Sequence, residues 1–101
     1  MVLSNRILNI TIKRASGTVK KYDYNGQKNI CGEKVRQLRL RRRLSQSALA
    51  AKMQTEGIAI EQDSISRIES GERLVTDYEA QAFARLLGVT ADELLTPPSD
   101  K

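Results

Sequence analysis

Residues 29–96 are divided into short segments whose apolar side chains recur with helical spacing, and turn or capping residues separate the segments. The first segment shows this spacing plainly, because Cys31, Val35 and Leu38 fall at i, i+4 and i+7 while arginines occupy its other faces. Five such segments with tight connections predict a compact all-α bundle.

The boundaries of the later helices follow from their caps. Ser45 is a favourable N-cap for a second helix through Met53, and a third helix is predicted over 62–70 with Gly71 at its C-terminal end. Capping boxes of the Thr-x-x-Glu type open a fourth and a fifth helix, Thr76 to Glu79 and Thr90 to Glu93. The inward positions form a mainly aliphatic core: Val35, Leu38, Leu49, Met53, Ile60, Ile65, Ile68, Phe83, Leu86, Leu87, Val89 and Leu94.

Residues 1–28 form a basic leader with a different pattern. Over 8–12 apolar and polar residues alternate, as they do in a half-buried strand. A turn at 15–17 and a second strand over 18–24 would complete a β-hairpin. Because an isolated hairpin is marginal in water, a mobile basic arm is the alternative. Residues 97–101 are expected to be a short C-terminal tail.

The charge of the chain is distributed unevenly. The formal net charge of +5 combines +5 over residues 1–30 and +6 over residues 31–55 with −6 over residues 56–101. Such an asymmetry favours a surface that faces a polyanion. The alternative is a basic helix face that is simply solvated.

The composition argues against an enzyme. The chain has no His, which is the usual general base and the commonest metal ligand. A single cysteine, Cys31, excludes an intramolecular disulfide and a Cys-rich zinc site, so no cofactor and no metal is predicted. No apolar run approaches the roughly 20 residues that span a bilayer. The chain is therefore expected to be soluble and cytoplasmic, without a membrane partner.

A series of motifs over 45–71 carries a family resemblance. The motifs are, in order, Ser45-Gln46, Leu49-Ala50, Ile65-Ser66-Arg67-Ile68-Glu69 and Gly71. Their order and spacing resemble the helix-turn-helix domain of the phage repressor and Cro-like (XRE) transcriptional regulators, and the similarity covers roughly 29–96. The resemblance implies a five-helix, lambda-repressor-like domain of bacterial or phage origin that binds double-stranded DNA as a homodimer.

By this resemblance, the third helix reads bases in the major groove. The positions of Gln62, Asp63 and Arg67 are those that usually contact bases in the family, and Ser66 lies beside them as a phosphate or secondary base contact. The residue types fit this role, because Gln pairs with adenine, Arg pairs with guanine and Asp accepts a hydrogen bond from cytosine. The alternative is that these four residues are only exposed polar side chains.

Contacts with the DNA backbone are expected around the N-terminus of the second helix. The family's recurrent phosphate contact falls on Gln46, and Ser45 with the free N–H groups lies at the same helix end. Arg42 and Arg43, just upstream, are expected to reach the same strand. Arg73 corresponds to another usual phosphate contact.

The sequence departs from the family between the second and third helices. Gln54 stands where a glycine is common, and the span from Met53 to Ile60 is longer than usual, which leaves the tilt of the third helix open. Asp63 would repel phosphate, so it is expected to face a base or a neighbouring arginine. Glu69 falls on a position whose acid is usually structural, which implies a partner within the domain.

Three functions are compatible with these features. The leading hypothesis is a sequence-specific repressor that occupies an operator. The second is an antitoxin-type autoregulator whose leader binds a small protein partner. The third is a protein-interaction adaptor that has lost DNA binding, against which the basic stripe over 34–43 argues.

Overall fold

The computed structural model describes residues 21–96, and within that range the chain forms five α-helices and no strand. The helices are α1 (Gly32–Arg41), α2 (Gln46–Thr55), α3 (Gln62–Glu69), α4 (Asp77–Leu87) and α5 (Ala91–Leu95). The predicted five-helix, all-α fold is confirmed.

The predicted caps begin three of these helices. The Ser45 side chain accepts a hydrogen bond of 2.9 Å from the Ala48 backbone N–H at the start of α2. Both capping boxes are formed, at Thr76 with Glu79 before α4 and at Thr90 with Glu93 before α5. Each satisfies backbone N–H groups that have no partner within the helix, so the helix boundaries follow from local sequence.

The helices share one core. Helix α1 packs against α3, α4 and α5, and α2 packs against α3 and α4. All of the predicted core residues are buried except Leu86 and Val89, which are partly buried and pack on its edge. Cys31, for which the spacing with Val35 and Leu38 also predicts a buried position, is in the core, and four alanines complete the buried set: Ala50, Ala80, Ala82 and Ala84. Helix α3 is held in this core by contacts with both α1 and α2.

The longer connection between α2 and α3 is accommodated without loss of packing. Helix α2 continues to Thr55, two residues beyond its predicted end. The chain then turns at Gly57, whose φ of +84° lies in the left-handed region that favours glycine. Ile60 is buried at 1% exposure, and its carbonyl accepts a hydrogen bond of 2.8 Å from Gln54 Nε2. This anchor places a core contact two residues before the first residue of α3.

The described end of the leader is a turn. Residues 21–24 do not form the predicted strand, because Tyr22 has a φ of +60° and the chain reverses at once. Two backbone hydrogen bonds of 2.7 and 3.0 Å join Tyr24 to Gln27 across a turn formed by Asn25 and Gly26. The rest of the predicted hairpin, and the tail over 97–101, lie outside the described residues.

Asn29 joins the start of α1 to the end of α3. Its Oδ1 accepts a hydrogen bond of 2.7 Å from the Gly32 backbone N–H. Its Nδ2 donates to the Ile68 carbonyl at 3.0 Å and to the Arg73 carbonyl at 2.8 Å. One side chain therefore caps α1 and holds the C-terminal end of α3, which fixes the position of the helix predicted to read bases.

Candidate nucleic-acid interface

Helix α3 has one buried apolar face and one exposed polar face. Its two isoleucines are buried in the core. Gln62, Asp63 and Arg67 are exposed, and Ser66 is half-buried beside them. At 100° per residue, these four side chains occupy a continuous arc of about 140° on the helix. The structure thus brings all four predicted base-reading residues onto one surface, although their contacts with bases stay a prediction.

Asp63 and Arg67 form an ion pair on this exposed face. Arg67 Nε lies 3.3 Å from Asp63 Oδ2, one helical turn away. The acid precedes the base at i, i+4, which is the favourable orientation with respect to the helix dipole. Of the two expected surroundings of Asp63, a base or a neighbouring arginine, the structure shows the arginine.

Gln62 is connected to the N-terminus of α2. Its Nε2 donates a hydrogen bond of 2.7 Å to Gln46 Oε1. Gln46 Nε2 in turn donates to Glu69 Oε1 at 3.0 Å. The first predicted base contact and the main predicted phosphate contact are therefore held by one chain of hydrogen bonds that ends on Glu69.

Glu69 is anchored by a buried ion pair with α1. Arg39 Nε and Nη2 donate to its two carboxylate oxygens at 2.6 and 3.0 Å. The side chains of Arg39 and Glu69 are only 9% and 4% exposed. This bidentate hydrogen bond raises the pKa of the Arg39 guanidinium despite its burial. The structural role expected for Glu69 is confirmed, and hydrogen bonds connect Glu69 through Gln46 to the exposed face of α3.

The N-terminus of α2 offers donors to a phosphate group. Ser45 is exposed, and its hydroxyl oxygen accepts from Ala48 N–H, which leaves the hydroxyl hydrogen free to donate. Gln46 lies at the first position of the helix, where backbone N–H groups have no partner within the helix. The positive end of the helix dipole and the free donors lie at the same helix end, and together they favour the binding of an anion.

Arg43 is exposed directly before this helix end, in an unusual backbone conformation. Its φ of +57° lies in the left-handed region, where a side chain costs more than glycine. The turn is closed by hydrogen bonds of 3.0 Å from Arg43 N–H to the Leu40 carbonyl and 3.1 Å from Leu44 N–H to the Arg39 carbonyl. Arg43 therefore occupies a backbone conformation that glycine would adopt at a lower cost.

Arg43→Gly should therefore stabilise the fold. We expect the free energy of unfolding to rise by about 0.5–1 kcal/mol, because the relief of the left-handed conformation outweighs the greater chain entropy of glycine. Urea denaturation followed by circular dichroism measures this change. Arg43→Ala removes the same charge but keeps the unfavourable φ, so it should give no such gain. An equal gain in both variants would instead point to charge repulsion within 41–43.

Arg42 and Arg73 are engaged inside the domain. Arg42 Nε donates a hydrogen bond of 3.0 Å to the Leu87 carbonyl at the C-terminal end of α4. Arg73 Nη1 and Nη2 donate to the two oxygens of Glu79 at 3.0 and 3.1 Å. Both stay predicted phosphate contacts, and each has part of its guanidinium group hydrogen-bonded inside the domain.

Glu79 is a buried acid that is kept charged. Its side chain is 5% exposed, and burial acts to raise its pKa. The hydrogen bonds from Arg73 and from the Thr76 backbone N–H outweigh burial and hold the pKa below its usual value. The Arg73–Glu79 pair therefore stabilises the loop between α3 and α4 at neutral pH, and this stabilisation is lost as the pH falls through the lowered pKa.

Cys31 has the environment of a core residue. It is 1% exposed, and burial raises the pKa of its thiol to about 11. Since the thiolate is the reactive form, this site suppresses thiol chemistry at neutral pH. Over residues 21–96, no cluster of His, Cys, Asp or Glu is arranged to hold a metal ion, and none of the five helices could cross a membrane.

Helices α2 and α3 are joined by a turn, and the polar face of α3 is left exposed by its neighbours. This arrangement is a helix-turn-helix unit of the kind used by DNA-binding proteins. Comparison with known families agrees, since the family model described as a helix-turn-helix domain matches residues 31–96. The chain belongs to this family. No curated protein and no solved structure gave a significant match.

Proposed function

We propose that this protein is a sequence-specific regulator of transcription, of the phage repressor and Cro-like (XRE) type, that represses by occupying an operator. The observation that carries the proposal is the hydrogen-bonded chain from Arg39 through Glu69 and Gln46 to Gln62. It links a buried ion pair to the exposed face of α3. Such a fixed polar face is what base recognition in the major groove requires.

The roles of the individual residues follow from their positions. Gln62, Asp63, Ser66 and Arg67 are proposed to contact base edges, because they share the exposed arc of α3. Ser45, Gln46 and Arg43 are proposed to contact phosphate, because they surround the N-terminus of α2. Arg42 and Arg73 are proposed to contact phosphate through the guanidinium N–H groups that their partners in the domain leave free.

A homodimer is the proposed binding form. One helix-turn-helix unit covers few base pairs, and two copies reading half-sites one helical turn apart would double the contact. An operator with two-fold symmetry and a stoichiometry of two chains per duplex is the expected result. Light scattering of the complex on a selected duplex measures it.

An antitoxin-type autoregulator is the second candidate, and one surface feature favours it. Tyr22 and Tyr24, where the leader joins the described domain, are 57% and 65% exposed beside the exposed side chains of Ile30 and Leu95. Exposed apolar side chains grouped in this way are typical of protein contact surfaces. Co-expression with the product of an adjacent gene would test this function, with Tyr22→Ser/Tyr24→Ser as the variant expected to lose that partner.

Two arginine substitutions test the division between base and phosphate contacts. Arg67→Ala should lose discrimination at one base position, worth about 1–3 kcal/mol, and should weaken binding to random DNA only by the smaller effect of one lost positive charge. Arg43→Ala should weaken binding to all sequences about equally and lower the slope of log K against log salt by about 1. Titration of both variants against selected and randomised duplexes at several salt concentrations measures these effects. Equal behaviour of the two variants would contradict the assignment.

A further inference from the structure

The ion pair between Asp63 and Arg67 has little use in folding. Both side chains lie in solvent, at 75% and 62% exposure, and exposed ion pairs contribute little to stability. The pair nevertheless joins two of the residues that face outward from α3. Because the pair contributes little to stability and lies on the surface proposed to contact DNA, we consider a role for it in DNA recognition.

The geometry of the pair leaves the two terminal nitrogens of Arg67, Nη1 and Nη2, free. Asp63 approaches Nε, on the inner edge of the guanidinium group. Within the described part of the chain, Nη1 and Nη2 of Arg67 have no hydrogen-bond acceptor. These two groups form the fork that donates to O6 and N7 of guanine. The carboxylate therefore restrains the long side chain without competing for the atoms that read the base.

Asp63 also keeps an acceptor of its own. The closest approach to Arg67 is through Oδ2, and within the described residues no hydrogen-bond donor occupies Oδ1, so Oδ1 is available to accept a hydrogen bond. In the major groove the donors are the amino groups at N4 of cytosine and N6 of adenine, whereas O4 of thymine and O6 of guanine would repel a carboxylate. Gln62, which is tied to Gln46, does not share this selectivity, because an amide both donates and accepts.

Resting on the proposed function, we propose that Asp63 and Arg67 act as one reading unit. Arg67 binds guanine, and Asp63 both positions Arg67 and requires an amino-bearing base, cytosine or adenine, at the neighbouring position contacted by the pair. Asp63 thus determines specificity at two positions of the half-site, its own and that of Arg67. It also lowers affinity for any duplex that lacks the amino group, because the second oxygen of the carboxylate then faces the base edge without a donor.

Selection of bound duplexes from a random pool tests the reading unit, using the full chain, Asp63→Ala and Glu61→Ala. Glu61 is a matched control: it is an exposed acid at the same end of α3, and its side chain makes no capping hydrogen bond. Both variants remove one negative charge, so both should bind random DNA more tightly. Only Asp63→Ala should change the selected sequence, with loss of the cytosine or adenine preference and weaker guanine preference beside it.

The expected effects are large enough to measure. In the unaltered protein, discrimination for guanine should be about 5- to 150-fold, the range found for a good bidentate contact. In Asp63→Ala it should fall at least threefold, while Glu61→Ala should retain it. Comparing duplexes with cytosine or adenine at the Asp63 position identifies which amino group is used.

The outcomes separate the reading unit from the function on which it rests. If the unaltered chain selects no sequence, the proposed sequence-specific function is overturned and the reading unit with it. If it selects a sequence that Asp63→Ala and Glu61→Ala both select unchanged, the regulator stands and the reading unit alone is overturned. Melting curves that match the unaltered protein would show that altered selection in Asp63→Ala does not arise from unfolding.

Discussion

Arg39→Met is expected to lower the free energy of unfolding by about 3–5 kcal/mol, a large part of the stability of a small domain. The substitution leaves the Glu69 carboxylate 4% exposed with its charge uncompensated. Gln46 is then the one remaining donor to it among the hydrogen bonds of the described chain. Methionine fills similar volume, so the loss comes from the unpaired charge rather than from a cavity. Urea denaturation followed by circular dichroism measures the change.

Removing both charges should restore most of this stability. In Arg39→Met/Glu69→Leu, no buried charge remains, and replacing a buried ion pair with apolar residues is often neutral. The Leu44 carbonyl still loses its hydrogen bond of 2.8 Å from Arg39, so we expect a value within about 2 kcal/mol of the unaltered protein. A double variant as unstable as Arg39→Met would contradict the role of the ion pair.

The same double variant separates folding from recognition. Without Glu69, the Nε2 group of Gln46 has no anchor, and Gln62 loses the fixed partner on which its orientation depends. We expect a folded protein whose affinity for the selected duplex falls more than its affinity for random DNA. The Arg39–Glu69 ion pair would then contribute to specificity as well as to stability, because it holds Gln46, and Gln46 in turn orients Gln62 on α3.

Much of the fold could be predicted because its signals are local. Ser45, Thr76 and Thr90 bind backbone groups three residues ahead, so their sequence context is enough to place helix starts. The spacing of Cys31 and Val35 likewise identified the buried side of α1, since helical periodicity is a short-range property. The exposed arc of α3 follows from the same periodicity.

The contacts that position α3 could not be predicted from spacing, because they join distant residues. Asn29 reaches the Ile68 carbonyl across 39 positions, and Gln62 meets Gln46 across 16. An asparagine shortly before a helix suggests a cap, but nothing local indicates that its amide also holds a second helix. Arg42 is another residue whose contact within the domain is not local. Its basic sequence context predicts a contact with phosphate, and the packing of α1 beside α4 also brings its Nε to the Leu87 carbonyl.

Gly32→Ala tests this long-range contact most directly, and it should be strongly destabilising although alanine is the better helix former. Gly32 is the first residue of α1, and a Cβ built there would lie 2.0 Å from the Ile68 carbonyl oxygen and 3.0 Å from Asn29 Oδ1. A backbone carbonyl cannot turn aside as a side chain can, so α1 and α3 must separate. We expect a loss of about 3 kcal/mol, at the upper end of overpacking costs, measured by urea denaturation.

Gly57→Ala provides the matched control, because the two glycines differ in what alanine would meet. At Gly57 a Cβ has open space within 4 Å, and only the φ of +84° opposes it. Its cost should be about 1–2 kcal/mol and should leave DNA selection unchanged. Gly32→Ala should cost more and should also weaken binding to the selected duplex at temperatures where the variant is folded, because displacement at Ile68 moves the end of α3. A Gly32→Ala variant as stable as the unaltered protein would show that α1 and α3 do not depend on this close approach.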